Sequence, residues 1–277
     1  MKRSVFLYLN FFWALIAMAV AVDAPERVAV NVPERVFSYV QSWIVNPPPV
    51  PTDSEVQASL AAAALPKEFA DVIASLHRRD LQKGTDGLMH QIDWITGIPM
   101  RDGLQIYDVV RKIKPKKTLE IGFAYGVSTM YFLAGLRTNG FGAHTAIDPF
   151  EETQWNGIGL MKVKEVGMQR SFEFMPERSH PALARLADRK QLFEIIFIDG
   201  AHLYDIAFAD FVLADAVCTK GCYILLHDRW MSSVQRIISF IEKNRLDYSR
   251  RESSTPNIAI FQKTGDDKRP WNHFEPF

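Results

Sequence analysis

The 277-residue sequence has no surplus of charge of either sign, because 32 Lys and Arg residues balance 32 Asp and Glu residues. A protein that binds nucleic acid through its phosphates needs a basic surface, so this balance leaves only a local basic patch as a route to such binding. Hydrophobic residues make up 48% of the chain, which excludes disorder for most of it. We therefore expect a folded protein without a nucleic-acid partner.

Cysteine is also scarce, with Cys218 and Cys222 as the two examples. Two cysteines are too few for a disulfide-rich secreted scaffold, and a C-x-x-x-C spacing without a second Cys/His pair is a poor zinc signature. Both flank Gly221 beside an apolar run, so we expect two small buried thiols. The chain contains no Asn-x-Ser/Thr sequon, which disfavours a glycosylated secreted protein.

Charge is absent from the chain between Arg3 and Asp23, and residues 5–22 are apolar except for Tyr8 and Asn10. Eighteen helical residues span about 27 Å, the lower limit for crossing a bilayer. A basic start followed by an apolar stretch is also typical of a secretory signal peptide. The sequence leaves open a cleaved signal peptide, an anchor that associates with a membrane, and a buried helix.

The rest of the chain divides by composition into four further parts. Residues 23–51 form a proline-rich linker that ends in a stiff run of prolines. Residues 52–100 form a helical N-terminal extension, with helices predicted over 52–64 and 66–79. Residues 101–265 form the main domain, and residues 266–277 are a C-terminal tail.

In the main domain, short apolar strands alternate with helices, which predicts an α/β fold with a mostly parallel sheet covered on both faces. The last two strands of the domain, separated by a short polar turn, are predicted to form an antiparallel hairpin. The predicted strands are residues 118–122, 143–147, 171–174, 194–198 and 222–226, and the hairpin strands are residues 247–252 and 257–262.

Polar residues stand at the predicted strand ends, where parallel sheets bind their ligands. They are Glu120-x-Gly122-x-x-x-Gly126, Asp148, Ser179, Asp199-Gly-Ala-His202 and His227-Asp228. The glycine-containing turn leads into a helix start with free N–H groups, and Asp148 is placed to accept the hydroxyls of a ribose. The G-x-G-x-x-G fingerprint is missing, which disfavours a nicotinamide oxidoreductase.

These motifs resemble those of the class I S-adenosylmethionine-dependent methyltransferases, particularly bacterial small-molecule O-methyltransferases. The resemblance rests on residues 118–128, 146–150, 198–202 and 225–230, and it covers roughly residues 98–263. It implies a Rossmann-like, doubly wound sheet of seven strands with helices on both faces. It also implies S-adenosylmethionine (SAM) as cofactor and a small-molecule acceptor that is methylated at oxygen.

The same resemblance implies which residues bind the cofactor. Gly122 and Gly126 would border its methionine part, and Glu120 would orient their turn. Asp148 would hold the ribose, and Ser179 would lie near the adenine. The full predicted set is Glu120, Gly122, Phe123, Gly126, Asp148 and Ser179.

Two aspartates occupy the positions where metal-dependent relatives bind a divalent cation such as Mg²⁺, namely Asp199 and Asp228. Arg229 stands where those relatives have an amide ligand, and an arginine cannot ligate a metal. His202 follows Asp199 at a helix start and is the predicted general base. His227 is expected to point away from Asp228, because side chains alternate along a strand.

Alternatives to a methyl-transferring enzyme stay open. One is a cofactor-binding protein of the same fold that does not methylate, including hydroxylase-like relatives. Location is a second open question, because SAM is a cytosolic metabolite whereas residues 1–22 have the pattern of an export signal. We expect a domain that faces the cytoplasm and associates with the membrane through residues 5–22, with export after signal cleavage as the alternative.

Overall fold

A computed structural model describes residues 52–93 and 96–277 of the chain. The predicted signal or anchor segment, residues 1–22, and the predicted linker, residues 23–51, lie outside the described residues. Within the described ranges, no helix combines the length and the apolarity that crossing a bilayer requires.

The helices and strands alternate in the main domain, as the sequence predicts. The helices of the described chain are α1 (Asp53–Ala62), α2 (Lys67–His77), α3 (Met100–Ile113), α4 (Val127–Asn139), α5 (Ile158–Glu165), α6 (Ser179–Asp188), α7 (Tyr204–Ala216) and α8 (Ser232–Asn244). Its strands are β1 (Gln82–Lys83), β2 (Met89–His90), β3 (Lys117–Ile121), β4 (Ala143–Ile147), β5 (Phe172–Met175), β6 (Phe193–Ile198), β7 (Cys218–Leu226), β8 (Tyr248–Arg251) and β9 (Ala259–Lys263).

Seven strands form one sheet in the order β5-β4-β3-β6-β7-β9-β8. The neighbours from β5 to β7 pair in parallel, whereas β9 pairs antiparallel with both β7 and β8. The predicted Rossmann-like sheet with a closing antiparallel hairpin is therefore confirmed. The chain order reverses between β3 and β6, so the carboxyl ends of these strands mark the switch point at which such sheets bind ligands.

The central strand β6 is largely apolar because both faces of the sheet are covered. In β6, Ile195 and Phe197 belong to one hydrophobic cluster, whereas Ile196 and Ile198 belong to the other. Helices α1 to α5 contribute to the first cluster and helices α6 to α8 to the second. The N-terminal helices thus share a core with the sheet, because each needs a partner for its apolar face.

Glycines allow helices α3 and α4 to cross at close range. A Cβ atom on Gly103 would lie 2.1 Å from the ring of Tyr131, and one on Gly135 would lie 2.6 Å from Val110. Interiors are packed too densely to absorb such an overlap without movement. The close crossing fixes α3, and with it Asp102 in the first turn of α3.

Cys218 and Cys222 form a disulfide, so the expectation of two free thiols is wrong. The reason lies in the pairing of β7 with β6, where Phe193 pairs with Cys218 but Ile195 pairs with Tyr223. The extra β7 residues bulge out of the ladder, and Gly221 turns the chain there with a φ of 89°. The two Cα atoms are thereby brought to 5.6 Å, within bonding range of a disulfide.

Local structure in the N-terminal extension agrees with the predicted helices and adds one hairpin. Helix α1 begins after Thr52, which forms a capping box with Glu55, and α2 begins after Pro66. Residues 84–88 form the turn between the paired strands β1 and β2.

Candidate functional site

The turn from β3 into α4 has a left-handed backbone at both predicted glycines, with φ values of 95° at Gly122 and 74° at Gly126. A Cβ atom on Gly122 would lie 2.2 Å from the carbonyl oxygen of Asp199, and one on Gly126 would lie 2.9 Å from Gly159. Both positions therefore require glycine for backbone conformation and for close approach. The contact at Gly122 is with the end of β6, which brings two predicted motifs together.

Glu120 is completely buried and ties this turn to the sheet. Its carboxylate accepts hydrogen bonds from Ser128 Oγ at 2.8 Å and from Thr129 Oγ1, both in the first turn of α4. On the other side, Nε2 of His144 in β4 lies 3.1 Å from Glu120 Oε1. A buried carboxylate needs such partners, and these hold the start of α4 against β3.

Asp148 follows β4 and reaches across to the glycine turn. Its Oδ2 accepts from the backbone N–H groups of Phe123 and Ala124, both at 3.0 Å, and its Oδ1 accepts from Phe150 N–H at 2.8 Å. The structure therefore brings Asp148 and the turn into direct contact. The ring of Phe123 packs against Phe172 and Phe174 in the core, so its backbone is the part that lies at the turn.

Ser179 is the first residue of helix α6, slightly beyond the end of β5 at Met175. The next residue, His180, places Nε2 3.3 Å from Oδ1 of Asp210 in α7. Burial raises the pKa of the Asp210 carboxyl. Ser179 thus lies beside a buried acid at the end of β5, one strand beyond Asp148.

Asp199, His202 and Asp228 converge at the ends of β6 and β7. Nε2 of His202 lies 3.1 Å from Asp228 Oδ2 and 3.6 Å from Asp199 Oδ1. One ligand atom from each residue lies within 4.8 Å of the others. Two carboxylate oxygens and one imidazole nitrogen suit a divalent cation, and all three side chains are partly accessible.

His227 belongs to the same cluster, so the expectation that it points away is wrong. Its Nδ1 lies 3.0 Å from Asp199 Oδ1 and 3.5 Å from Asp228 Oδ1. The alternation rule fails because β7 ends at Leu226, and Asp228 turns the chain with a φ of 51°. Both His227 and Asp228 can therefore face the end of β6.

Asp102, which the sequence analysis missed, is fully buried behind His227. Its carboxylate accepts from Thr255 Oγ1, from Asn257 Nδ2 at 3.0 Å, and faces His227 Nε2 at 3.1 Å. An acidic residue in the first turn of a helix usually needs no partner beyond the helix start. The polar residues 253–255, between the two hairpin strands, are the feature of the sequence that could have indicated a partner for Asp102.

The neighbouring charges shift the pKa values in this cluster against the effect of burial. Burial alone would lower the pKa of both imidazoles, but the facing carboxylates outweigh it, so the pKa of His202 is raised and that of His227 is raised strongly. Burial would raise the pKa of Asp228 and Asp102, but hydrogen bonds from the imidazoles and other donors lower both. The charged forms stabilise one another.

Two tryptophans near this edge differ in their surroundings. Trp230 Nε1 donates to Asp228 Oδ1 at 2.9 Å, so Trp230 supports the cluster. Trp155 packs edge-on against Tyr125, and its Nε1 is buried without a hydrogen-bond partner among the described residues. Tyr125 in turn donates to Asp93 at 3.0 Å. Trp155 and Trp230 therefore lie beside different halves of the site.

Comparison with known proteins finds similarity over part of the chain. A sequence model of the methyltransferase domain family matches residues 119–229. Caffeoyl-CoA O-methyltransferase from Stellaria longipes is 26% identical over 163 residues, which is 58% of this chain and 58% of that protein. The chain therefore spans less than two thirds of this relative's length.

Solved structures share the fold. The O-methyltransferase TomG from Streptomyces achromogenes, in complex with SAM, has a TM-score of 0.59 at 17% identity, covering 76% of this chain and 96% of that chain. An O-methyltransferase from Bacillus cereus, in complex with SAH, has a TM-score of 0.51 at 17% identity, covering 82% and 96% respectively. At this level of identity the likeness is one of fold.

Glu151 gives a testable consequence of burial next to Asp148. Burial raises the pKa of its carboxyl from 4.5 to about 8, and its Oε2 has no hydrogen-bond partner among the described residues. The folded state therefore holds the proton more tightly than the unfolded state, and the free energy of unfolding falls as pH rises from about 4.5 to about 8.

We expect Glu151→Gln to remove this loss, because glutamine does not ionise and its Oε1 can still accept from Leu160 N–H. The variant should gain about 1–3 kcal/mol over wild type at pH 8 and much less at pH 5, by urea unfolding. Glu152→Gln, at the exposed neighbouring position, is the control and should change little. An equal gain at both pH values would contradict the buried, protonated carboxyl.

Proposed function

We propose that this chain, whose residues 119–229 form a class I SAM-dependent methyltransferase domain, transfers the methyl group of SAM to an oxygen atom of a small-molecule acceptor. The observation that carries the proposal is the meeting of two polar clusters at one edge of the sheet. The turn held by Asp148 lies at β3 and β4, and the Asp199–His202–Asp228 cluster lies at β6 and β7. Gly122 touches both, through its contact with Asp199.

The first cluster is proposed to bind SAM. An ionised carboxylate offers about four acceptor positions, and backbone N–H groups use three of them in Asp148. The position left on Oδ1 suits a ribose hydroxyl. Gly122, Phe123 and Gly126 then border the methionine part through their backbone, Glu120 fixes the turn, and Ser179 lies toward the adenine.

The second cluster is proposed to activate the acceptor. Methyl transfer from a sulfonium requires an oxygen nucleophile in line with the methyl group and a group that takes its proton. His202 is suited to take that proton, because its side chain is partly accessible and its Nε2 lies 3.1 Å from Asp228 Oδ2, which would stabilise the imidazolium that forms. Charge from Asp228 and Asp199 makes the imidazole more basic, although burial opposes this.

Asp199 and Asp228 are proposed to hold a divalent cation such as Mg²⁺. The donor set fits, because their oxygens lie within 4.8 Å of each other and of the His202 nitrogen. A bound cation supplies Lewis-acid chemistry that lowers the pKa of a ligated hydroxyl. Arg229 occupies the position of the relatives' amide ligand and cannot ligate a metal, so the two aspartates are the proposed ligands and His202 beside them stays the proton acceptor.

We also propose a cytoplasm-facing transferase domain over residues 101–265, with residues 52–100 as its helical extension and residues 1–22 as a membrane-associated segment. The supply of SAM in the cytosol supports this location, and Arg27 and Arg35 weaken the charge bias set by Lys2 and Arg3. Export after cleavage is the rival location. The Cys218–Cys222 disulfide favours the rival, because disulfides are rare in the cytosol.

Asp148→Ala should weaken SAM binding by about 2 kcal/mol, roughly thirtyfold in Kd, because it removes a charge-assisted hydrogen bond and frees the turn. Isothermal titration calorimetry measures the affinity, and circular dichroism checks that the variant is folded. Glu152→Ala, four residues along and exposed, is the control and should bind SAM as the wild type does. Unchanged affinity in Asp148→Ala would remove the cofactor assignment.

Chelator treatment should abolish transfer of tritiated methyl groups from SAM to a panel of hydroxylated acceptors that includes caffeoyl-CoA, and Mg²⁺ or Mn²⁺ should restore it.

His202→Ala should lower kcat by roughly 10²–10⁴-fold while the Kd for SAM stays unchanged, because it removes the proton acceptor alone. Full activity in the chelator would reject the cation and leave His202 as the main catalytic group. SAM binding without any label transfer would favour a non-methylating protein.

Fractionation of cells that express a C-terminally tagged chain tests the location. We expect the full-length chain in the membrane fraction, with its tag digested by protease only after the cells are opened. A shortened product that begins near Val22, recovered from the periplasm or the medium, would establish export instead.

A further inference from the structure

We propose that Asp102 and His227 are positioning residues that hold the Asp199 carboxylate in the orientation needed by the cation site, an inference that rests on the proposed function. Asp102 lies in α3, outside the residues 119–229 that match the methyltransferase domain family. Its two other partners, Thr255 and Asn257, also lie outside that match. The support for the site therefore comes from parts of the chain that flank the family domain on both sides.

The geometry is a chain of three groups in contact. Oδ2 of Asp102 lies 3.1 Å from His227 Nε2, and His227 Nδ1 lies 3.0 Å from Asp199 Oδ1. An imidazole ring is rigid, so a carboxylate that fixes one nitrogen also fixes the direction of the other. The position of Asp102 thus determines where His227 can hold Asp199.

Asp102 itself has little freedom. It has no exposed surface, it sits in the first turn of α3, and Thr255 and Asn257 donate to its two oxygens. The next residue, Gly103, packs directly on the ring of Tyr131. A group fixed by a helix, a loop and a helix crossing is a firm reference point for the side chains that contact it.

The other end of the chain faces the open side of the site. Asp199 Oδ1, which His227 contacts, is also the oxygen 3.6 Å from His202 Nε2. Asp228 is held in a parallel way, because its Oδ1 accepts from Trp230 and leaves Oδ2 toward His202. Each carboxylate therefore has a protein contact that sets its rotation while the cluster stays accessible.

Asn257 links these two supports. Its side-chain nitrogen lies 3.0 Å from both Asp102 Oδ2 and His227 Nε2, and 3.4 Å from Asp228 Oδ1. The loop between β8 and β9 therefore touches both carboxylate arms of the cluster, directly at Asp228 and through His227 at Asp199. A contact that only stabilised the hairpin loop would not need to reach both Asp199 and Asp228.

Binding of Mn²⁺ to the purified full chain, followed by electron paramagnetic resonance, tests the positioning without relying on turnover. We expect Asp102→Asn to raise the Kd for Mn²⁺ by about 10- to 100-fold, as loss of such outer contacts does at metal sites. The Kd for SAM should stay at the wild-type value, because the SAM cluster lies at β3 and β4.

Two substitutions at position 227 separate positioning from packing. The amide nitrogen of Asn overlaps Nδ1 of a histidine, whereas that of Gln overlaps Nε2. His227→Asn should therefore keep a donor for Asp199 and lose less Mn²⁺ affinity than His227→Gln, which keeps the donor for Asp102 instead. If His227 were only filling space, the two variants would bind Mn²⁺ equally, and the proposal would be wrong.

Asp247→Asn is the matched control, because Asp247 is also buried and pairs with Arg245 at 2.7 Å at the start of the β8–β9 hairpin. It should lower the melting temperature and leave the Kd for Mn²⁺ unchanged. Thr255→Val, a milder change at Asp102, keeps the test open if Asp102→Asn does not fold, and should raise the Kd by a few-fold.

Wild-type Mn²⁺ affinity in both Asp102→Asn and His227→Gln would overturn the proposal, as would an equal loss in Asp247→Asn. A wild-type chain that binds no Mn²⁺ would overturn it too. Transfer of tritiated methyl groups, measured on the same preparation, decides the proposed function separately. A chain that methylates without binding Mn²⁺ would refute the positioning role and leave the methyltransferase assignment standing.

Discussion

The burial of Glu120 in the centre of the sheet is the constraint on which the site depends. A carboxylate without exposed surface is stable only when its oxygens find donors, and here the donors are the first-turn hydroxyls of α4, Ser128 and Thr129. Their contact fixes the point at which α4 leaves the sheet, and so sets the path of the intervening turn. Asp148 then closes on the backbone of that turn, and Gly122 rests against the end of β6. One buried charge thus aligns three neighbouring strand ends.

Much of this arrangement follows from the sequence, because parallel topology is a strong geometric rule. Alternating apolar strands and helices predict a parallel sheet, and its carboxyl ends must lie at one edge. The rule therefore predicts Asp148, Asp199 and Asp228 at a common edge, and the structure places them there. The relation of His202 to Asp199 was equally local, since both lie within one strand-to-helix connection.

The rest depends on long-range packing or on backbone detail that composition does not encode. Asp102 meets Thr255 and Asn257 across roughly half of the chain, and no spacing rule connects a helix start to a distant hairpin loop. His227 was misplaced because alternation holds only inside a strand, and β7 stops one residue earlier. The Cys218–Cys222 disulfide was not predicted because the spacing of the two cysteines does not reveal the bulge in β7 that brings them together. These are failures of local rules at the ends of elements, where function is also concentrated.

The left-handed backbone at Asp228 has a consequence for how the position can change over generations. With a φ of 51°, this residue occupies a conformation that aspartate and asparagine tolerate better than longer or branched residues do. Glutamate would keep the charge but meet the backbone penalty, whereas asparagine would keep the backbone and give up the charge. The substitution of Asp228 that costs the fold least is therefore asparagine, which removes the negative charge. Related chains that lose the activity would keep the backbone geometry of the cluster after its charge is lost.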